Sequence, residues 1–312
     1  MYLRHFADSS EQLFCYDKAN DRSFLTSTKA IAQERYFYEI PHDAFAEFEV
    51  PLNAIEDILS IAEGNWAPLH EALISEADRG HFQTDLVLAY APFLALQWMR
   101  TKTYRDMMRE TMKLSAQSIV DDLLELNFPE SKGKVRVVPN ETAVSAMHSQ
   151  RMFSEADKLS QAMESHLWIV GINETKEPFY TSDHPVVRNA NQQKNDRKLT
   201  GALDPGIEFA FPLDSRHVLL ILERTHFSEW QELDNKSVAL SVEQVRKYNS
   251  LQVMRSCQRV FCPGDIFELA RSVCARHPEI RNPDRPRIRI ESTPVIKAKN
   301  KARSYRFLTA IE

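Results

Sequence analysis

Leu167-Trp-Ile-Val-Gly-Ile172 (LWIVGI) is the stretch at which the chain changes period. An apolar run this short, bounded by polar and turn-forming residues, reads as a β-strand. Upstream, from His42 to the edge of this run, the apolar spacing is mostly helical. Leu52, Ile55, Ile58, Leu59 and Ala62 share one stripe. A second helix fits Pro68–Asp78, with Gly80 as its stop signal, and a third runs from His81 to about Met112. Pro92 lies inside that third helix, where a missing N–H and a steric clash predict a kink or break. Leu114–Leu126 is again helical, Val135–Val138 suits a short strand, and Asn140 opens a helix reaching about Ser165.

Downstream, Pro178–Thr181, Val186–Val187, Phe209–Pro212 and His217–Glu223 are further strand-like runs, and 188–205 is polar and loop-like. Helices fit Val242–Val260 and Asp265–Ala275, the latter with Asp265 as N-cap. At the N-terminus, Gln12–Lys18 and Arg22–Thr28 flank Ala19-Asn20-Asp21, a plausible hairpin loop. Arg287-Ile-Arg-Ile-Glu-Ser suits an edge strand. The reading is α+β and predominantly helical: a long helical middle packed with a small mixed sheet of N-terminal hairpin and C-terminal strands. It is treated as one compact domain, 1–312. Its parts are an N-terminal hairpin (1–40), a helical subdomain (41–166), an α+β portion (167–280) and a basic tail with the edge strand (281–312).

Composition narrows the function. The chain of 312 residues is 43 % hydrophobic and 27 % charged, as expected of a protein with a real core. Only seven residues are glycine. Gly-rich phosphate loops need closely spaced glycines, and neither the dinucleotide fingerprint nor the nucleophile elbow occurs. Gly201 and Gly206 have the P-loop spacing, but Ile207-Glu208 stands where Lys-Ser/Thr is required. Four cysteines form no C-x-x-C pair and read as small buried residues of a reducing compartment. With no signal-like start and no apolar run of bilayer length, the expectation is a cytoplasmic protein with no membrane partner. Net charge is −5, yet 281–312 carries nine Lys/Arg against three Asp/Glu. A basic tail on an acidic body can meet nucleic acid or the body's own acidic face.

Three constellations carry candidate chemistry. Gln97-x-x-Arg100 places an amide and a guanidinium on one helix face, the pattern of an anion clamp, or of a helix reaching the surface. In Ser182-Asp183-His184-Pro185, proline keeps His184 out of the helical region. Asp and His there suit proton transfer or metal ligation, or Ser and Asp simply shape the turn. On the helix carrying Arg246, Asn249 and Arg255, Asn249 lies among Val245, Leu251 and Val253 and orients a substrate or closes a core hydrogen bond.

Tyr2-Leu-Arg-His-Phe-Ala, Leu13-Phe-Cys-Tyr-Asp17, Gln97-Trp-Met-Arg-Thr101 and Phe179-Tyr-Thr-Ser-Asp-His-Pro185 occur in that order. Together they resemble a bacterial family catalogued as domain-of-unknown-function family 4238, over most of the chain. Members have a histidine a few residues before the Leu-Arg segment, whereas this sequence begins at Met1 directly before it. The resemblance implies that Gln97, Arg100, Ser182, Asp183 and Pro185 define the family, without giving them roles.

The expectation is a phosphodiester- or nucleotide-processing, ribonuclease-like enzyme. Arg100, Asp183 and His184 are its candidate catalytic residues, and Gln97, Ser182 and Asn249 its candidate substrate-binding residues. A divalent metal is the candidate cofactor, and RNA or a nucleotide the candidate partner. The alternative is a non-catalytic protein-binding or regulatory protein in which the same residues are structural.

Overall fold

The computed structural model describes residues 2–31, 53–131, 133–194, 197–297 and 300–309. The elements in chain order begin with β1 (Gln12–Asp17), β2 (Arg22–Ser27) and the short α1 (Thr28–Ile31). The helical middle follows: α2 (Ala54–Ala77), α3 (Thr84–Met99), α4 (Lys102–Asn127), α5 (Glu141–Ser154) and α6 (Ala156–Glu164). Then come β3 (Leu167–Asn173), β4 (Thr181–Ser182), β5 (Val187–Ala190), β6 (Gln193–Lys194), β7 (Arg197–Lys198), β8 (Ile207–Pro212), β9 (His217–Leu222) and β10 (Lys236–Leu240). The chain ends with α7 (Val242–Arg255), β11 (Arg259–Cys262), α8 (Glu268–Arg276), β12 (Ile288–Lys297) and β13 (Asn300–Thr309). The fold is α+β and helix-dominated, as the sequence implies.

The strands gather into two main sheets. One has the order β10-β3-β9-β8-β5, with β10 parallel to β3 and the other pairs antiparallel. Its strands are apolar on both faces because both are covered. Trp168, Val170, Phe209, Phe211, Leu219 and Ile221 meet α2, α3 and α6. Leu167, Ile169, Ala210, Val218, Leu220 and Leu222 meet Val245 and Tyr248 of α7. Gly171 makes the parallel pair possible, since a Cβ there would stand 2.5 Å from Leu240 Cδ1.

The second sheet, β2-β1-β11-β4, is antiparallel throughout. The N-terminal hairpin therefore does join C-terminal strands, through Cys15 opposite Phe261 and Tyr16 opposite Val260. The expected turn Ala19-Asn20-Asp21 is built by Asp17, whose Oδ1 accepts the amides of Ala19 and Asn20. β12 and β13 form a hairpin of their own. It is anchored to α4 where Glu110 Oε2 accepts the amides of Arg287 and Ile288 at 2.6 and 2.9 Å.

Several boundaries differ from the sequence reading. α2 is one helix that runs through Pro68, and α3 runs through Pro92. Each proline removes one backbone bond, but the flanking Ala91, Phe93, Leu94 and Ala95 are buried, and that packing holds α3 together. The break falls instead at Thr101, whose extended backbone (φ −81°, ψ 154°) and side-chain oxygen cap α4. The expected strand Val135–Val138 does not form, because Gln117 takes the partner's place: its amide bonds Val135 O and Val137 N. The helix expected from Asn140 to Ser165 divides at Glu155. α7 stops at Arg255 and Val260 enters β11, where β-pairing with β1 outweighs helical spacing. Asp265 does not cap α8, which starts at Glu268 behind Phe267. Leu52 of the first stripe lies outside the described residues, as does 32–40 of the expected hairpin segment.

Candidate functional site

Ser182, Asp183, His184 and Asn249 gather where α7 passes and β4 leaves its sheet, while Gln97 and Arg100 lie at the end of α3, whose next residue, Thr101, reaches His184. Two residues of α7 act as a rail for the backbone. Asn249 accepts the Tyr180 amide at 2.7 Å and donates to Pro178 O at 3.0 Å. Gln252, one helical turn further along α7, donates to Pro185 O and accepts from Ser182 Oγ, both at 2.7 Å. The Ser182 oxygen also accepts the His184 amide. Residues 178–185 are thereby laid along α7 with their buried backbone groups satisfied. Gln252 was not singled out from sequence; its place three residues after Asn249 on the same helix is the signal that identifies it.

Asp183 is committed to backbone. Its carboxylate accepts three consecutive amides, Cys257 at 2.7 Å and Gln258 and Arg259 at 2.8 Å. This ties the turn after β4 to the segment between α7 and β11. Arg100, just past α3, pairs through Nη1 with Glu63 of α2. Burial would raise the Glu63 carboxyl, but the Arg100 guanidinium outweighs it and holds the group below its usual range. Gln97 is buried, and its Oε1 has no hydrogen-bond partner among the described residues.

Asn249 lines a cavity beside Glu177, Tyr180 and Glu268, and His184 lines another. The lining of the His184 cavity includes Trp98, Thr103, Met107, Thr200 and Met254, and five cationic side chains: Arg188, Lys198, Arg255, Arg285 and Arg287. Among the described residues lining it there is no Asp or Glu. The cations differ in how they are held. Arg285 donates to the carbonyls of Met254, Ser256, Cys257, Ile280 and Asn282. The buried Lys18 joins it by donating to Val253 O and Ser256 O. Both charges thus sit at the carbonyl end of α7, where the helix dipole is negative. Arg287 donates to Pro283 O at 2.9 Å and stands 4.0 Å from Asp106.

Arg188 is different. Its guanidinium lies 5.5 Å from the Trp98 ring centroid and donates no hydrogen bond to any described residue. Burial, and then repulsion from Arg255, bring its pKa down to about 10. Burial and Arg287 do the same for Arg285, also to about 10. His184 is pushed down to about 3, first by burial and then by Arg287, Arg255, Arg188 and Arg285. The imidazole is therefore neutral at neutral pH, wedged among fixed cations. Electrostatically the cavity wants an anion.

Of this cationic set the sequence reading names Arg255, on the helix of Asn249, and misses the others as site residues. Arg188 is four residues beyond His184, and Arg285-Pro-Arg287 belongs to the tail whose basic character was noted. Among the described residues, no group of three or more His, Cys, Asp or Glu is placed to hold a metal ion, and no helix is long and apolar enough to cross a membrane.

A second buried polar cluster lies among the N-terminal turn, α2, α3 and β8. His70 bonds Tyr90 OH through Nδ1 and Leu213 O through Nε2. Tyr2 OH donates to Pro212 O and meets Thr181 Oγ1 at 2.7 Å. His5 stacks 4.2 Å from His70. These groups satisfy one another and fasten the N-terminal turn to α2, α3 and β8.

A family model described as "Protein of unknown function (DUF4238)" matches residues 1–263. No curated protein and no solved structure matches the chain.

Proposed function

The chain belongs to the DUF4238 family, and from that premise we propose that it binds and processes a small phosphate-bearing ligand, a nucleotide or the end of an RNA strand, in the cationic cavity. One observation carries the reading. Arg188 lies over Trp98 with no acceptor for its guanidinium among the described residues, in a cavity whose described lining holds five cations and no carboxylate. A planar guanidinium fork is matched by phosphate oxygens. Lys198, Arg255 and Arg287 add charge, and Trp98 adds an apolar wall beside it. The acidic remainder of the chain favours a small ligand over a long duplex.

In this reading the roles expected of the family motif are redistributed. Of its residues, His184 is the group that can touch ligand, as a neutral hydrogen-bonding and proton-accepting imidazole. Asp183, Ser182 and Asn249 position it by fixing the turn, and Arg100 ties α3 to α2. The same commitments favour a second reading, a regulatory protein that senses a phosphate compound without chemistry, because Asp183 already holds three amides. The described lining offers a divalent metal cations and no carboxylate, which does not fit such an ion, and this reading gives a metal no part.

Thermal-shift and calorimetric titration with pyrophosphate and adenosine monophosphate test the binding. Both should stabilise the wild type and fail to stabilise Arg188→Met. No shift with either compound at millimolar concentration overturns the proposal. Turnover of labelled RNA or nucleotide, with and without Mg²⁺, then separates the processing reading from the sensing one.

A further inference from the structure

The hydrogen bonds around Thr101 determine which nitrogen of His184 carries its proton. Thr101 has one hydroxyl proton, and Oγ1 donates it to Trp98 O at 3.0 Å. The same oxygen accepts the Tyr104 amide as the cap of α4. The bond to Trp98 O and the 2.8 Å contact with His184 Nδ1 are both made as hydrogen bonds only when the imidazole is the donor. With Nδ1 protonated in a neutral ring, Nε2 keeps its lone pair. Nε2 has no hydrogen-bond partner among the described residues, while His184 lines the cavity. Every other strongly polar group lining that cavity is a donor-only cation or a threonine hydroxyl.

We infer that the cavity takes a phosphate ester bearing a neighbouring hydroxyl, with phosphate on the arginines and the hydroxyl donating to His184 Nε2, so that a ribonucleotide is preferred to its deoxy counterpart. The inference rests on the phosphate-binding reading above and adds the chemistry that a set of cations alone cannot supply. Guanidinium and ammonium groups only donate, so they recognise phosphate oxygens and leave a hydroxyl proton unread. A lone pair held among cations reads that proton. Burial first, and then the surrounding arginines, keep His184 from protonating, so the acceptor persists at neutral pH.

Two measurements test this independently. Nitrogen chemical shifts of the wild-type histidines, assigned by comparison with His184→Asn, should show Nδ1 protonated and Nε2 bare. The opposite tautomer overturns the inference. Calorimetry should show adenosine monophosphate binding about fivefold or more tighter than its deoxy counterpart, the worth of one hydrogen bond. His184→Asn retains an N–H toward Thr101 but has no atom at Nε2. It should bind the two nucleotides equally. If that variant does not fold, the wild-type comparison stands alone. Equal wild-type affinity for the two nucleotides, with pyrophosphate still bound, overturns the inference and leaves the phosphate reading intact. Failure of all three compounds to bind overturns both.

Discussion

The Thr101 hydroxyl stands 2.8 Å from His184 Nδ1, a contact between residues 83 positions apart in the chain. Two of the family's motifs, Gln97–Thr101 and Phe179–Pro185, are joined by it. The same oxygen begins α4 and orients the imidazole, so a helix break and a candidate binding group share one atom. This explains why α3 and α4 are separate helices at Thr101 and not at Pro92.

Thr101→Val keeps the shape and removes the oxygen. Loss of the cap should cost about 1 kcal/mol, and the unpartnered His184 N–H adds to it. Urea denaturation reads the sum. A variant as stable as wild type would mean that neither bond contributes.

Asp183→Asn replaces a charged acceptor of three amides with a neutral one that turns an N–H toward a donor. Hydrogen bonds to a charged group are the strong ones, and the expected loss is about 2–3 kcal/mol. The change should appear as a lower urea midpoint. Full stability with lost turnover would instead assign the carboxylate a direct part in chemistry.

Arg188→Met removes a cation that donates no hydrogen bond to any described residue and is repelled by Arg255, with Asp204 opposing, so stability should stay within about 1 kcal/mol of wild type or rise. Pyrophosphate affinity should fall about tenfold or more. A strongly destabilised variant would show that Arg188 holds the fold, not a ligand.

Acid should destabilise the protein before its carboxylates titrate. His70 and His184 each have a pKa near 3 in the folded chain, against 6.5 for a free imidazole. His70 is lowered by burial and then by His5, with Leu213 O and Asp214 opposing; Tyr2 and Tyr90 also face it. His184 faces four arginines, Thr101 and Trp98. Between pH 6.5 and 3 the unfolded chain binds protons that the native state refuses, so stability falls as pH falls. Each group contributes up to about 1.4 kcal/mol per pH unit. His217, paired with Asp214 and Asp78, is raised above its ordinary value despite its burial. Its stabilising contribution is present below pH 6.5 and is lost as pH rises through that raised value. Urea midpoints measured across pH test the slope, and a flat profile through the acidic window would contradict it.

Much of the fold was legible in local pattern. The hairpin at Ala19-Asn20-Asp21, the strand at Leu167 and the stop at Gly80 each follow from residues a few positions apart. Gly80 ends α2 with φ +96°, a conformation that side-chain-bearing residues rarely adopt. The helix boundaries that moved did so where a distant partner outweighed local preference: buried neighbours carried α3 through Pro92, and β1 drew Val260 into a strand.

The sequence by itself determined the helix-dominated α+β class, the exclusion of glycine-loop nucleotide folds, and the importance of the segments around Gln97 and Asp183. Only the tertiary structure decided what those residues touch. Asp183 meets amides more than seventy positions away, and His184 meets arginines from β5, α7 and the tail. Periodicity reports which face of an element is buried, because burial is a property of each residue along its own helix or strand. It does not report which elements meet. Hence the cavity's charge, contributed by segments from Arg188 to Arg287, exists only once the chain has folded.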